Sequence, residues 1–228
     1  MQTLRHRRWP RLWSAIRDEL VWGFVGSAAI LWLSSFMAED VWGSEVLNFD
    51  QHLLWLVRTV ASGPLTLCMT VITALGDWTV LVALALAVGA WCWQNGTKGR
   101  VLILGTTVLG AFALNQVLQI FFYRFRPVDV DYVAQLPILP SGHALLSLCV
   151  YGIAAFFLLE RRSLRLQLAG AALAALVVLL IGFSRVYLGL HYSSDLVAGY
   201  AAALVWLIAN TLAFRQLYRL RLLWQLKI

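Results

Sequence analysis

The feature that most constrains the fold of this 228-residue chain is a series of six long apolar stretches. A helix needs about 20 apolar residues to cross a bilayer. Charged residues make up only 13% of the chain, whereas soluble domains carry about 25%. The sequence therefore predicts an all-α polytopic membrane protein, a bundle of six transmembrane helices without a separate soluble domain. The predicted spans are residues 20–37, 78–93, 101–123, 143–159, 168–187 and 196–214.

The region between the first two predicted spans has a different pattern. Gly63-Pro64 opens an apolar stretch, residues 65–75, that is too short to cross a bilayer. Gly76-Asp77 then has the pattern of a helix stop followed by the N-cap of the next span. Together with residues 52–60, this region predicts short interfacial or re-entrant helices after the first span.

The distribution of basic residues predicts the orientation in the membrane. Fourteen of the eighteen Lys and Arg residues lie in segments that alternate onto one side, which the positive-inside rule assigns to the cytoplasm. The predicted units are a basic cytoplasmic segment (1–19), a six-span domain (20–214) and a basic cytoplasmic tail (215–228). The net charge of +7 thus fits a multi-pass protein of the cell membrane, such as a bacterial inner membrane, and not a nucleic-acid partner.

The other four basic residues fall on the outer side, against this bias. They are Arg58, Arg124, Arg126 and Arg185. Three of them flank polar motifs. Charged residues beside a bilayer are energetically costly, so a chain usually keeps them where they have a function. A negatively charged ligand at the outer face is the natural hypothesis.

Two polar motifs reach this outer face from different spans. Residues 140–143, with the sequence Pro-Ser-Gly-His, have the pattern of a helix start in which Ser141 is the N-cap and Gly142 allows close backbone approach. Such a start offers unpaired N–H groups to an anion. Arg126 and Arg185 can each grip phosphate oxygens with two parallel hydrogen bonds. This part of the site is expected to bind phosphate.

The histidines of the two motifs suit phosphoryl transfer. His191 and Asp195 are spaced i, i+4, so on a helix or near-helix Asp195 can accept from one imidazole nitrogen and leave the other to attack phosphorus. His143 is then the second acid, which protonates the leaving oxygen. Ser184 either touches phosphate or is simply small enough for helix packing.

The motifs Pro-Ser-Gly-His and Ser-Arg-x5-His-x3-Asp, at 140–143 and 184–195, resemble the second and third signatures of the type 2 phosphatidic acid phosphatase family. That family is similar in its core to vanadium haloperoxidases and glucose-6-phosphatase, and the resemblance covers residues 40–215. It implies a metal-independent phosphomonoesterase or diphosphatase that needs no cofactor and acts through a phosphohistidine. The implied roles are His191 as nucleophile, Asp195 as its orienting partner, His143 as general acid, and Arg126, Ser141, Gly142 and Arg185 as phosphate ligands.

The first family motif, Lys-x6-Arg-Pro, is incomplete in this chain. Counting back from Arg126-Pro127, over residues 119–127, leads to Gln119 in place of lysine. Gln119 can donate a hydrogen bond but supplies no charge. Arg124 either compensates or is a helix-end arginine at the interface. Asn115, one turn before Gln119, either bonds between helices or lines the site.

Three functions follow from these patterns. The leading prediction is a lipid phosphate phosphatase or diphosphatase with its active site at the outer face. Undecaprenyl diphosphate is the first candidate substrate, followed by phosphatidylglycerophosphate and phosphatidic acid. The alternatives are a lipid phosphotransferase with the same intermediate and a non-catalytic lipid-phosphate binder. The expected partners are the lipid substrate and the bilayer, and the sequence specifies no oligomeric state.

Overall fold

The computed structural model describes residues 8–36, 43–121 and 141–219, and these residues form eight α-helices without a strand. The all-α prediction is therefore confirmed for this part of the chain. The helices are α1 (Arg8–Phe36), α2 (Gly43–Thr59), α3 (Gly63–Ala74), α4 (Trp78–Gln94), α5 (Lys98–Phe121), α6 (Gly142–Leu159), α7 (Leu164–Tyr187) and α8 (Ser193–Arg219).

Four helices in this part of the chain, α5 to α8, are long and apolar enough to cross a membrane. Helices α3 and α4 pass the same test only together, and they are bent by 47° at the break between them. Within the part of α1 whose side chains are described, Leu20–Ile30 is a shorter apolar stretch. The protein is thus a multi-pass membrane protein, and the described residues support four or five of the six predicted spans.

The predicted break at Gly76-Asp77 is present, but its chemistry differs from the prediction. Helix α3 has Pro64 in its first turn and ends at Ala74, and α4 begins at Trp78 with Asp77 in the N-cap position. The side chain of Asp77 makes no capping hydrogen bond to α4. Its carboxylate is turned toward α6.

Small residues let α5, α6 and α8 pack closely around a central apolar cluster. Leu114, Leu145 and Trp206 are buried there, with alanines of α8 between them. A Cβ at Gly110 would lie 2.0 Å from the Trp206 ring, so glycine is required for this approach. The Trp206 indole N–H also donates to the Thr107 carbonyl at 3.0 Å. These contacts fix the relative positions of the helices that carry the motifs.

Helix α2 holds the beginning of α8 through one buried carboxylate. Asp50 is 1% exposed and accepts hydrogen bonds from the Ser193 hydroxyl at 2.5 Å and from the Ser194 hydroxyl at 2.6 Å. It also accepts from the Ser194 backbone N–H at 3.1 Å. The N–H groups of a first helical turn have no partner within the helix, so Asp50 caps α8 from a distant part of the sequence.

Replacement of this carboxylate tests the cap. Asp50→Ala is expected to lower the free energy of unfolding by about 2 kcal/mol, because it removes three hydrogen bonds to a buried carboxylate. Thermal unfolding in detergent measures the loss. Glu45→Ala, at an exposed acidic residue of the same helix, is the matched control and should unfold close to the wild type. Equal midpoints for Asp50→Ala and Glu45→Ala would contradict the cap.

Candidate active site

The first turn of α6 is built against the first turn of α8. Ser141 is fully buried, and its hydroxyl accepts from the Ala144 N–H at 3.5 Å, so the predicted N-cap is confirmed. The Ser141 N–H donates to the Asp195 carbonyl at 3.4 Å. A Cβ at Gly199 would lie 3.1 Å from the Ser141 carbonyl oxygen, so the absence of a side chain there permits the contact. The two motif segments are therefore adjacent.

His191 and Asp195 face each other across the turn that precedes α8. The chain reverses at Gly189, whose φ of 70° favours glycine. The His191 Nδ1 atom lies 3.6 Å from Asp195 Oδ2, and the same oxygen accepts from the Tyr192 N–H at 2.9 Å. Because Asp195 is fully buried and lies on the Nδ1 side of the ring, Nε2 is at the opposite edge. This arrangement can support nucleophilic attack by Nε2.

His143 and Arg185 complete a cluster of groups that can carry positive charge. Arg185 is in the last turn of α7, and its Nη1 donates to the Thr73 hydroxyl at 3.4 Å. The His191 N–H donates to the Arg185 carbonyl at 3.3 Å, and the α3–α4 break contacts both Arg185, through Thr73, and the His143 ring, beside Gly76. The cluster sits beside the N-terminus of α6, which favours anions. Together these groups form a suitable site for phosphate.

The structure therefore brings together six of the predicted site residues. They are Ser141, Gly142, His143, Arg185, His191 and Asp195. Arg124 and Arg126 lie outside the described residues, as do Pro140 and residues 128–139, which connect the third and fourth predicted spans on the outer side.

Gln119 and Asn115 both lie on α5, and Asn115 packs beside this cluster. Gln119 is half-buried near the end of the helix, and Asn115 is 5% exposed one turn earlier. A Cβ at Gly142 would lie 3.1 Å from Asn115 Oδ1, so this amide is packed against the first turn of α6. Its Nδ2 group donates to neighbouring Gln116 at 3.4 Å. The contact with Gly142 favours the interpretation that Asn115 lines the site.

Ser184 has a different environment from the cluster. Its side chain is fully buried, and its hydroxyl donates to the Ile181 carbonyl of its own helix at 2.6 Å. This bond is typical of a small serine in a packed helix. Of the two interpretations left open by the sequence, packing is the one that the contacts favour.

The residue that sequence reasoning missed is Asp77. Its Oδ1 atom lies 3.0 Å from His143 Nε2, across 66 positions of sequence. The available signal was an acidic residue in an apolar region, which usually marks a functional site. Because the sequence analysis assigned Asp77 as the N-cap of the next span, it did not consider a role for Asp77 in the site.

A metal site would need several His, Cys, Asp or Glu side chains close together. Over residues 8–36, 43–121 and 141–219, no group of three or more His, Cys, Asp or Glu side chains could hold a metal ion. The groups that the cluster offers to a substrate are imidazole, guanidinium and carboxylate.

Comparison with known proteins identifies the family of this chain. The family model of the PAP2 superfamily matches residues 100–219. Phosphatidylglycerophosphatase B of Bacillus subtilis (strain 168) is 32% identical over 144 residues, which are 60% of this chain and 69% of that protein. Lipid phosphate phosphatase delta of Arabidopsis thaliana is 42% identical over 79 residues, 32% of this chain and 19% of that protein.

Two crystal structures share the fold. One is the transmembrane PAP2 type phosphatidylglycerolphosphate phosphatase from Bacillus subtilis, with a TM-score of 0.71 and 24% identity over 84% of this chain and 96% of that one. The other is Aquifex aeolicus LpxE, with a TM-score of 0.51 and 22% identity over 72% and 94%. Since the family model matches more than half of the sequence, and both motifs lie within that match, this chain belongs to the PAP2 superfamily of type 2 phosphatidic acid phosphatases.

Proposed function

We propose that this protein is a lipid phosphate phosphatase that acts through a phosphohistidine at the outer face of the cell membrane. The observation that carries the proposal is the convergence of His143, Arg185 and His191 at the first turn of α6, with Asp195 behind His191. The names of the two relatives, a phosphatidylglycerophosphatase and a lipid phosphate phosphatase, agree with this class of activity.

In the first step of the proposed reaction, the phosphate of the lipid is bound by Arg185, by Arg126 and by the start of α6. Nε2 of His191 attacks phosphorus while Asp195 stabilises the imidazolium that forms. The bond from phosphorus to the leaving oxygen breaks, and His143 delivers a proton to that oxygen. The products are the dephosphorylated lipid and a phosphohistidine.

In the second step, a water molecule replaces the lipid in the site. His143, now neutral, removes a proton from the water as its oxygen attacks phosphorus. The bond between phosphorus and His191 breaks, phosphate is released, and both histidines return to their starting states. This cycle uses no metal ion or cofactor.

In the proposed topology, the site opens at the outer face of the membrane, where it can act on substrates that stay in the bilayer. Both termini are cytoplasmic in the six-span arrangement, with units at 1–19, 20–214 and 215–228. The predicted outer loop, residues 128–139, is too short for a large cap, so the headgroup enters from the plane of the bilayer. Undecaprenyl diphosphate, phosphatidylglycerophosphate and phosphatidic acid are the proposed substrates.

Phosphate release from these three lipids by the purified protein in detergent tests the proposal. His191→Ala is expected to lower the rate at least about 1,000-fold, because it removes the nucleophile. His52→Ala, at an exposed histidine of α2, is the matched control and should keep the wild-type rate. EDTA should leave the rate unchanged. Activity in His191→Ala, or its loss with EDTA in the wild type, would contradict the mechanism. Labelled phosphate transferred to a second lipid would instead indicate a phosphotransferase.

Gln119→Lys tests the incomplete first motif. A charged donor binds phosphate more strongly than a neutral amide, by about 1 kcal/mol, so kcat/KM should rise about fivefold to tenfold. Gln119→Met, of similar length and without a donor, is the control and should fall below the wild type. Equal values for all three proteins would show that position 119 does not contact phosphate.

A further inference from the structure

The break between α3 and α4 is pressed against the candidate active site at several points. The Tyr151 hydroxyl of α6 donates to the Leu75 carbonyl at 3.0 Å. A Cβ at Gly76 would lie 2.5 Å from Ile181 Cγ2 and 2.9 Å from His143 Cδ2. A side chain at position 76 would therefore push the break away from both α6 and α7. The backbone of the break is therefore held at a defined position next to His143.

Two polar side chains of this region reach the cluster. Thr73, in the last turn of α3, accepts from Arg185 Nη1. Asp77, just after the break, places Oδ1 3.0 Å from His143 Nε2. The bent pair of helices thus supplies contacts to one residue of each sequence motif, although it belongs to neither motif.

The carboxylate of Asp77 is directed at His143 and not at its own helix. Asp77 occupies the N-cap position of α4, where an aspartate commonly accepts from the helix N–H groups, yet it makes no such bond. Its side chain is 48% exposed and that of His143 is 22% exposed. The pair therefore lies at an accessible edge of the bundle, where a substrate can reach the imidazole.

We infer that Asp77 is the positioning residue for His143. In the proposed function, on which this inference rests, His143 must present a protonated nitrogen to the leaving oxygen. A carboxylate that accepts from Nε2–H fixes the plane of the ring and stabilises its protonated form, which leaves Nδ1–H for the substrate. Asp77 thus serves His143 as Asp195 serves His191.

The leaving group distinguishes this role from a structural one. As the His191 Nε2–P bond forms and the ester P–O bond breaks, the proton on His143 Nδ1 passes to the leaving oxygen. An alkoxide, the leaving group of a lipid phosphate, is strongly basic and needs that proton. A nitrophenolate is weakly basic and leaves without it. Damage to proton delivery should therefore slow alkyl phosphates much more than aryl phosphates.

The test compares kcat/KM for dioctanoyl phosphatidic acid and p-nitrophenyl phosphate in detergent. Asp77→Asn should lower kcat/KM about 100-fold for the lipid phosphate and no more than about fivefold for the aryl phosphate. Asp77→Glu, which keeps the carboxylate, should recover part of the loss on the lipid phosphate. Thr73→Val is the matched control. It removes the hydroxyl that accepts from Arg185, and it should lower kcat/KM for both substrates by the same factor.

A double variant tests whether the two residues act together. In a His143→Ala background, Asp77→Asn should cause little additional loss on either substrate, because the group it positions is gone. Three results would each overturn the inference. Asp77→Asn could lower kcat/KM equally for both substrates, it could lower kcat/KM for neither, or its effect could be fully additive with that of His143→Ala. If the wild type released no phosphate from any of the lipids or the aryl ester, the proposed function would fall, and this inference with it.

Discussion

A hydrocarbon environment cannot solvate a polar group, so each polar side chain in this bundle needs a partner supplied by the protein. Three carboxylates meet this constraint in the same way. Asp50 of α2 binds the first turn of α8, Asp77 at the α3–α4 break faces His143, and Asp195 faces His191. Asp50 and Asp77 each join a segment of the candidate site to a distant part of the chain, and Asp195 orders the turn that carries His191. The geometry of the site therefore depends on these pairings as much as on apolar packing.

Apolar packing brings the helices close enough for the pairings to form. Gly110 lets α5 approach Trp206 of α8, and Gly199 lets α8 approach the first turn of α6. Such contacts suit a membrane, where helices associate through close packing because lipid is as apolar as their own side chains. Since α5, α6 and α8 are held at short range, their ends can form one site. The proposed phosphoryl transfer needs that precision, because small displacements of reacting groups cost much of the rate.

Local patterns in the sequence predict a substantial part of this structure. The apolar stretches predict helices, Ser141 is confirmed as the N-cap of α6, and the spacing of His191 and Asp195 anticipates their contact. Each of these features is encoded within a few consecutive residues. The pair formed by Asp77 and His143 is separated by 66 positions, so no local pattern contains it. The bend of 47° between α3 and α4 likewise depends on contacts with α6 and α7 that no local pattern contains.

The measurement that tests the proposed mechanism most directly is capture of the phosphorylated protein. Wild-type protein is mixed with excess ³²P-labelled lipid phosphate, quenched in alkali within one turnover, digested and mapped. The expected result is label on the peptide that contains His191, stable in alkali, released by acid and absent from His191→Ala. Rapid phosphate release with label on another side chain, or with no labelled protein at any time in the first turnover, would contradict a phosphohistidine at His191.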